Sequence, residues 1–208
     1  AIINPSAANT SATHARGGAI YKGDNVIGDL ASNPNLKFNA TLNVSDTTFK
    51  DNQILFNDGA VAIREGSSAA GGALYLSNSI SNIDKTVFSG NKVVNNYLSS
   101  DVMAAGGAIA TNSASGDRKG KHFITANFDN NSVTSEGTAI GGAIAALDVK
   151  TTSNIVTVNL ENSRITNNSA ESKGSVANTG AMGGAIYTGT LNFVNLNSSV
   201  VDSNTSIS

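Results

Sequence analysis

The chain carries 15 carboxylates, 13 lysines and arginines, two histidines and no cysteine in 208 residues, for a formal net charge of −2. Acid–base chemistry on a polysaccharide needs two carboxylates facing one bond, or carboxylates holding calcium beside a cation. The acids here are scattered instead. Asp51, Asp129 and Asp202 fall in or beside one recurring short motif, with Asp129 and Asp202 at the same place and Asp51 one place later. In a stacked repeat Asp129 and Asp202 would stand two strand spacings apart, roughly 10 Å. With no arginine nearby in the repeat frame, they read as solvated turn acids. His14 and His122 have no Ser, Asp or His at a spacing that builds a triad or a metal site. Each is expected at a solvated or edge position. No catalytic residue, metal site or cofactor is predicted.

Two short segments have the chemistry of contact rather than catalysis. Asp117-Arg118-Lys119-Gly120-Lys121 is the densest basic run and could meet an acidic glycan. Lys22-Gly23-Asp24 has the form of tripeptides that integrins recognise. Solvated loops contain such runs and tripeptides too, so Lys22, Gly23, Asp24, Arg118, Lys119 and Lys121 are contact candidates only. The near-zero charge argues against nucleic acid, whose binding needs a basic face. No stretch approaches the roughly 20 apolar residues of a membrane span, and no signal peptide is visible. Zero cysteines removes disulfides, structural zinc and thiol chemistry together.

What positions these residues is a repeat. Gly17-Gly18-Ala19-Ile20, Gly71-Gly72-Ala73-Leu74, Gly106-Gly107-Ala108-Ile109, Gly141-Gly142-Ala143-Ile144 and Gly183-Gly184-Ala185-Ile186 recur at intervals that tolerate insertion. A second motif is phased against the first: Phe49-Lys-Asp-Asn52, Phe88-Ser-Gly-Asn91 and Phe128-Asp-Asn-Asn131, then Ile165-Thr-Asn-Asn168 and Val201-Asp-Ser-Asn204. Five residues before its apolar position stand Val44, Ile83, Phe123, Leu160 and Leu196, with Leu42, Val158 and Val194 two residues earlier still. That alternation marks half-buried strands, and helical spacing is sustained nowhere. Asn supplies 28 positions and Gly 21, which suits many short strands joined by many turns.

These patterns predict an all-β fold, a right-handed parallel β-helix of about five coils, roughly 24 Å long at the strand spacing. One unit is expected over residues 1–208, with repeats beginning near 17, 71, 106, 141 and 183 and residues 1–16 as a polar lead or cap. The Ile/Leu of the Gly-Gly-Ala motif should form one interior column and the Phe/Ile/Val residues another. Asn52, Asn91, Asn131, Asn168 and Asn204 should form a ladder of side-chain amides. The paired glycines should sit at a corner needing positive φ or close backbone approach. A propeller or a Greek-key sandwich would not place these motifs in phase with so few aromatics.

Gly-Gly-Ala-(Ile/Leu) alternating with Phe-x-x-Asn resembles the defining repeat pair of the chlamydial polymorphic outer membrane proteins. The match runs from Gly17 to Asn204, with Ile165 and Val201 departing from the phenylalanine of the second motif. The resemblance implies a passenger segment exported through a C-terminal outer-membrane barrel, displayed on a Gram-negative surface or released after processing, and acting as an adhesin. It associates the repeat motifs with adhesion. It implies a host cell-surface protein or glycan as partner, and contact with a membrane only through that barrel. The buried motif positions belong to the scaffold, while contacts are expected on exposed spacers, at residues 22–40, 53–70, 92–105, 111–121 and 169–182.

A polysaccharide-active enzyme and a stalk without binding activity remain alternatives, because β-helices serve both and fold does not decide function. Open ends expose unpaired strand edges, so self-association is expected unless residues 2–14 cover one of them. Light scattering of the purified chain should show species larger than the 21.1 kDa monomer that grow with concentration; a monomer at all concentrations would contradict this.

Overall fold

The structure is a computed structural model and describes residues 2–3, 14–22, 40–57, 67–98, 102–112, 120–147, 155–174 and 179–208. Among these, every regular element is a strand and every strand pairing is parallel. Four sheets wind round the solenoid. Sheet A stacks Ile2–Ile3, Gln53–Phe56, Lys92–Asn95, Ser132–Ser135, Ser169–Ser172 and Thr205–Ile207. Sheet B stacks His14–Arg16, Ser67–Ala70, Val102–Ala105, Thr138–Ile140 and Ala181–Met182. Sheet C stacks Ile20–Lys22, Leu74–Ser77, Ile109–Asn112, Ile144–Leu147 and Ile186–Thr188. Sheet D makes five passes: Ala40–Ser45 with Thr48–Lys50, Ser79–Ser89, Gly120–Asp129, Val156–Glu161 with Arg164–Thr166, and Phe193–Asn197 with Val200–Asp202. One coil runs A to D, and the coils are numbered 1 to 5 along the chain. Five passes enclose four inter-coil steps, so the solenoid has about four turns where motif counting gives five coils.

The expected columns form. Ile20, Leu74, Ile109, Ile144 and Ile186 lie in one register across sheet C. Phe49, Phe88, Phe128, Ile165 and Val201 lie in one register across sheet D. The three phenyl rings stack nearly parallel, with centroids 5.0 and 4.8 Å apart. In the last coil Leu196 and Val201 are half exposed, although their counterparts Leu160 and Ile165 are fully buried.

The strands before and through the Phe-x-x-Asn motif form one sheet, D. Two assignments from sequence change. Two further walls, A and B, are built from segments expected to protrude. Gln53–Phe56, Ser67–Ala70, Lys92–Asn95, Val102–Ala105, Ser169–Ser172 and Ala181–Met182 are strands, with Ile54, Phe56, Val93, Val102 and Ala170 in a buried cluster of their own. Their length of two to four residues, with many small residues, hides the alternation that would have marked them. Phe123 does not fill the interior: it pairs with Asn82 and Asn159 and is 44% exposed, while Ile124 takes the column place beside Ile83 and Leu160. In the other coils a left-handed residue forms a bulge between the two column positions, namely Asp46, Lys85, Asn162 and Ser198. Coil 3 lacks that residue, so the interior residue lies four, not five, places before Phe128.

The asparagine ladder closes the corner between sheets D and A. Nδ2 of Asn52, Asn91, Asn131 and Asn168 donates to Oδ1 of the next coil's asparagine at 2.8–2.9 Å. The backbone N–H of the same residues donates to that oxygen too. The second amide hydrogen of Asn91, Asn131, Asn168 and Asn204 reaches back to the carbonyls of Phe49, Phe88, Phe128 and Ile165. Asn91, Asn131 and Asn168 are fully buried, and this arrangement satisfies both faces of each amide. The residue before each ladder asparagine is left-handed: Asp51, Gly90, Asn130, Asn167 and Ser203. Four of those five are Asp, Asn or Gly, the types that adopt this conformation at least cost.

At the B–C corner the two glycines of each motif do different jobs. Gly106 has φ of +60°, whereas a Cβ on Gly107 would lie 2.1 Å from the Gly142 carbonyl oxygen and 2.7 Å from Ser132 N. Ser132 directly follows ladder residue Asn131, so the glycine corner presses on the ladder corner. Replacing Asn131 with alanine strands the Asn91 N–H and amide, and leaves the Phe88 carbonyl without its donor. At about 1–3 kcal/mol per buried orphan, we expect a loss of about 4 kcal/mol in urea denaturation. Asn82→Ala removes a similar amide contact from an exposed ladder and should cost less than about 1 kcal/mol; equal losses would refute the assignment.

Candidate binding face

Among the described residues, no group of three or more His, Cys, Asp or Glu side chains could hold a metal ion. A face open to a partner is the outer side of sheet D. Its outward positions are set by strand alternation and align in ranks across the coils. One rank holds Asn43, Asn82, Phe123, Asn159 and Asn195. Another runs Thr48, Val87, Asn127, Arg164 and Val200. Phe123, Phe193 and Val200 are exposed among these amides and hydroxyls. By contrast, the three middle strands of sheet C are buried on both sides: Tyr75, Ala110 and Ala145, which alternate with the interior residues, are fully buried with Ala105 and Ile140, while Tyr21 in the first strand is exposed. Burial pushes the Tyr75 phenol up to about 12, against the pull of the Arg16 guanidinium, whose carbon lies 4.7 Å from the ring centroid.

Two shallow grooves mark the D face. One, of about 150 Å³, lies over coil 3 and is lined by Asn82, Asp84, Phe123, Thr125, Asn159 and Glu161. The other is lined by Val87, Ser89, Asn127, Asp129, Arg164 and Asn167. Neither Asp84 nor Glu161 stands out in the sequence, because they reach one groove only after the coils stack.

Asp129 and Asp202 do share a rank, with Thr166 between them. Asp129 sits on a strand, not in a turn, and its Oδ1 accepts hydrogen bonds from Thr166 Oγ1 at 3.0 Å and Asn167 Nδ2 at 2.9 Å. Arg164 lines the same groove, so a cation does lie close in the stacked frame although none is close in sequence. Asp51 stands at the D–A corner, with Oδ1 where a side chain on Gly90 would have to go. Lys22 ends a sheet C strand and is half-buried. Lys121 is exposed on sheet D, its Nζ 5.0 Å from the Phe123 ring centroid. Gly23, Asp24, Arg118 and Lys119 lie outside the described residues.

His122 contradicts its expected solvated position. It is 1% exposed, with Nδ1 2.9 Å from Ser81 Oγ and Nε2 2.6 Å from Thr111 Oγ1. Ser81 reaches it from coil 2 across sheet D and Thr111 from sheet C. Sequence separations of 41 and 11 residues conceal the cluster, and only the inward alternation of Gly120–Asp129 would have shown it. Each hydroxyl can either donate or accept, so a neutral imidazole has both nitrogens satisfied. The three side chains are sealed from solvent, which leaves no route for a substrate to Ser81 Oγ. His14 lies in the strand His14–Arg16.

No protein-family model, curated protein or solved structure matches the chain.

The buried imidazole makes a pH prediction. Burial lowers the His122 pKa from the ordinary 6.5 to about 4. The unfolded chain therefore takes up this proton first, so the stabilisation is complete above pH 6.5 and is lost as pH falls toward 4. The loss is about 3 kcal/mol at about 1.4 kcal/mol per pH unit. Urea denaturation between pH 7 and 4 should give a steeper loss of stability for the native chain than for His122→Gln. Parallel curves for the two proteins would rule the buried neutral imidazole out.

Proposed function

We infer that the chain is a segment of a bacterial surface adhesin: a non-catalytic passenger whose β-helix carries contact residues to a host cell-surface protein or glycan. The observation that carries this reading is the D face, an array of outward ranks in which exposed Phe123, Phe193 and Val200 stand among asparagines and threonines. A regular parallel sheet holds such side chains at fixed spacing, and contacts on a rigid frame lose little freedom on binding. Exposed aromatics within polar ranks are what interfaces use as anchors. The resemblance of the paired motifs to the chlamydial outer membrane proteins supports a surface location, export as an autotransporter passenger and a role in virulence.

The reading shifts the contact surface from the spacers to a wall of the solenoid. The motif residues then act as scaffold: Asn91, Asn131 and Asn168 are wholly interior and reach no partner. Asp84 and Glu161 rim one groove two coils apart, and this observation supports the second reading, a polysaccharide-active enzyme. Two strand spacings give about 10 Å between their backbones, just beyond the range of about 6.5–9.5 Å for an inverting carboxylate pair.

Purified chain should bind host cells saturably and compete with attachment of bacteria that display it. A Phe193→Asp/Val200→Asp double variant should bind at least about fivefold more weakly, because charge replaces two exposed anchors. Absence of saturable binding would leave the stalk reading in place of this one. Release of reducing ends from a polysaccharide would favour the enzyme.

A further inference from the structure

One outward rank of sheet D is regular except at one place. In coils 1, 2, 4 and 5 one outward rank is asparagine, and neighbouring amides join: Asn82 Nδ2 donates to Asn43 Oδ1 at 2.8 Å, and Asn195 Nδ2 to Asn159 Oδ1 at 2.9 Å. Coil 3 puts Phe123 in that rank. Two polar groups are displaced as a result. Asn159 Nδ2 turns to the His122 carbonyl at 3.2 Å, and the next coil offers no side-chain amide to Asn82 Oδ1.

The same coil is one residue short beside Phe123, where the others carry Asp46, Lys85, Asn162 and Ser198 in a left-handed bulge. The groove of about 150 Å³ lies beside this shortened stretch. Three features converge there: an aromatic ring 44% exposed, an amide oxygen with no side-chain donor above it, and the carboxylates of Asp84 and Glu161 on the rim.

We propose that this groove binds one sugar residue of a neutral glycan, with Phe123 as the platform for the ring. The inference rests on the adhesion reading and names its ligand class. A pyranose has an apolar C–H face and a rim of hydroxyl donors. The face stacks on Phe123, and the hydroxyls donate to Asp84, Glu161 and Asn82 Oδ1. The Lys121 ammonium lies over the Phe123 ring, 5.0 Å from its centroid, so the ring face accepts positive charge and the sugar stacks there by displacing this exposed ammonium. Sugar C–H groups carry the same sign more weakly. An acidic glycan is opposed by the two carboxylates, and a cationic ligand by Lys85 and Lys121, which are both exposed near the groove. Adjacent coils are about 4.8 Å apart, comparable to the advance of one sugar along an extended polysaccharide. A chain lying along the solenoid would therefore meet the asparagines of coils 2 and 4 with the residues on either side.

Phe123→Asn is the decisive variant, because it restores the amide rank and should preserve the fold, checked by thermal melting. The probe is a printed array of neutral gluco-, galacto-, manno- and N-acetylglucosamine oligosaccharides, followed by calorimetric titration of those that bind. The native chain should bind at least one class, with Phe123→Asn and Asp84→Asn/Glu161→Gln each weaker by about tenfold or more. No binding to any neutral oligosaccharide, or affinity of Phe123→Asn within about twofold of native, overturns the site. Host-cell binding by the same proteins separates the two conclusions. Cell binding undiminished in Phe123→Asn overturns the glycan site and leaves adhesion standing. Array binding without cell binding overturns adhesion and leaves the site.

Discussion

The rest of the solenoid depends on one close approach, between the second glycine of each Gly-Gly-Ala motif and the peptide that follows each ladder asparagine. Gly72, Gly107, Gly142 and Gly184 face the backbone of Lys92, Ser132, Ser169 and Thr205, at distances that leave no room for a Cβ. The two corners therefore meet across the lumen and divide it. On one side Leu74, Ile109, Ile144 and the phenylalanine column fill the space between sheets C and D. On the other, Ile54, Val93, Val133 and Ala170 fill the space between A and B. This contact gives the phase relation between the motifs a physical reason. A coil that kept the ladder but lost the second glycine would push the corners apart and open both apolar columns, and packed interiors tolerate little of that.

The ladder is the other half of the constraint. A buried amide is costly unless all its hydrogen-bonding groups are used, and in coils 2, 3 and 4 they are used by the same three partners each time: the next asparagine, the previous asparagine's N–H groups and a carbonyl one coil back. Identity at that position is therefore fixed, while the position before it needs only a residue that accepts positive φ. Asp51, Gly90, Asn130, Asn167 and Ser203 differ for that reason. Variation in the motif follows burial and backbone conformation place by place.

Much of this was legible in the sequence, and the losses have specific causes. The ladder, both sheet columns, the parallel stacking and the roles of the glycines followed from residues that recur in phase. Sheets A and B did not, because strands such as Ser67–Ala70 and Ser169–Ser172 are made of small residues whose inward and outward positions look alike. Phe123 was placed inside because constant spacing was carried through coil 3, where one residue is missing and Ile124 takes the interior place. His122 was expected in solvent because no partner stands near it in sequence, whereas the parity of its strand turns the imidazole inward to Ser81 and Thr111. The D-face groove had no sequence signature, since its lining comes from three coils.

That single deletion shows where such a repeat can change. Removing a residue from an interior rank would flip every following side chain between lumen and solvent. The bulge between the two column positions escapes this, because its left-handed residue already interrupts the inward–outward alternation, although Asp46 and Asn162 still donate backbone hydrogen bonds to the neighbouring coil. Its loss in coil 3 leaves Phe128 in the phenylalanine stack at 4.8 Å and Asn131 in the ladder at 2.8 Å. The disturbance goes outward, as an exposed ring and an amide oxygen without its side-chain donor, beside the groove. Interior order and surface novelty are thus separable in this fold, and the outer face of sheet D is where a new contact can arise at least cost to the solenoid.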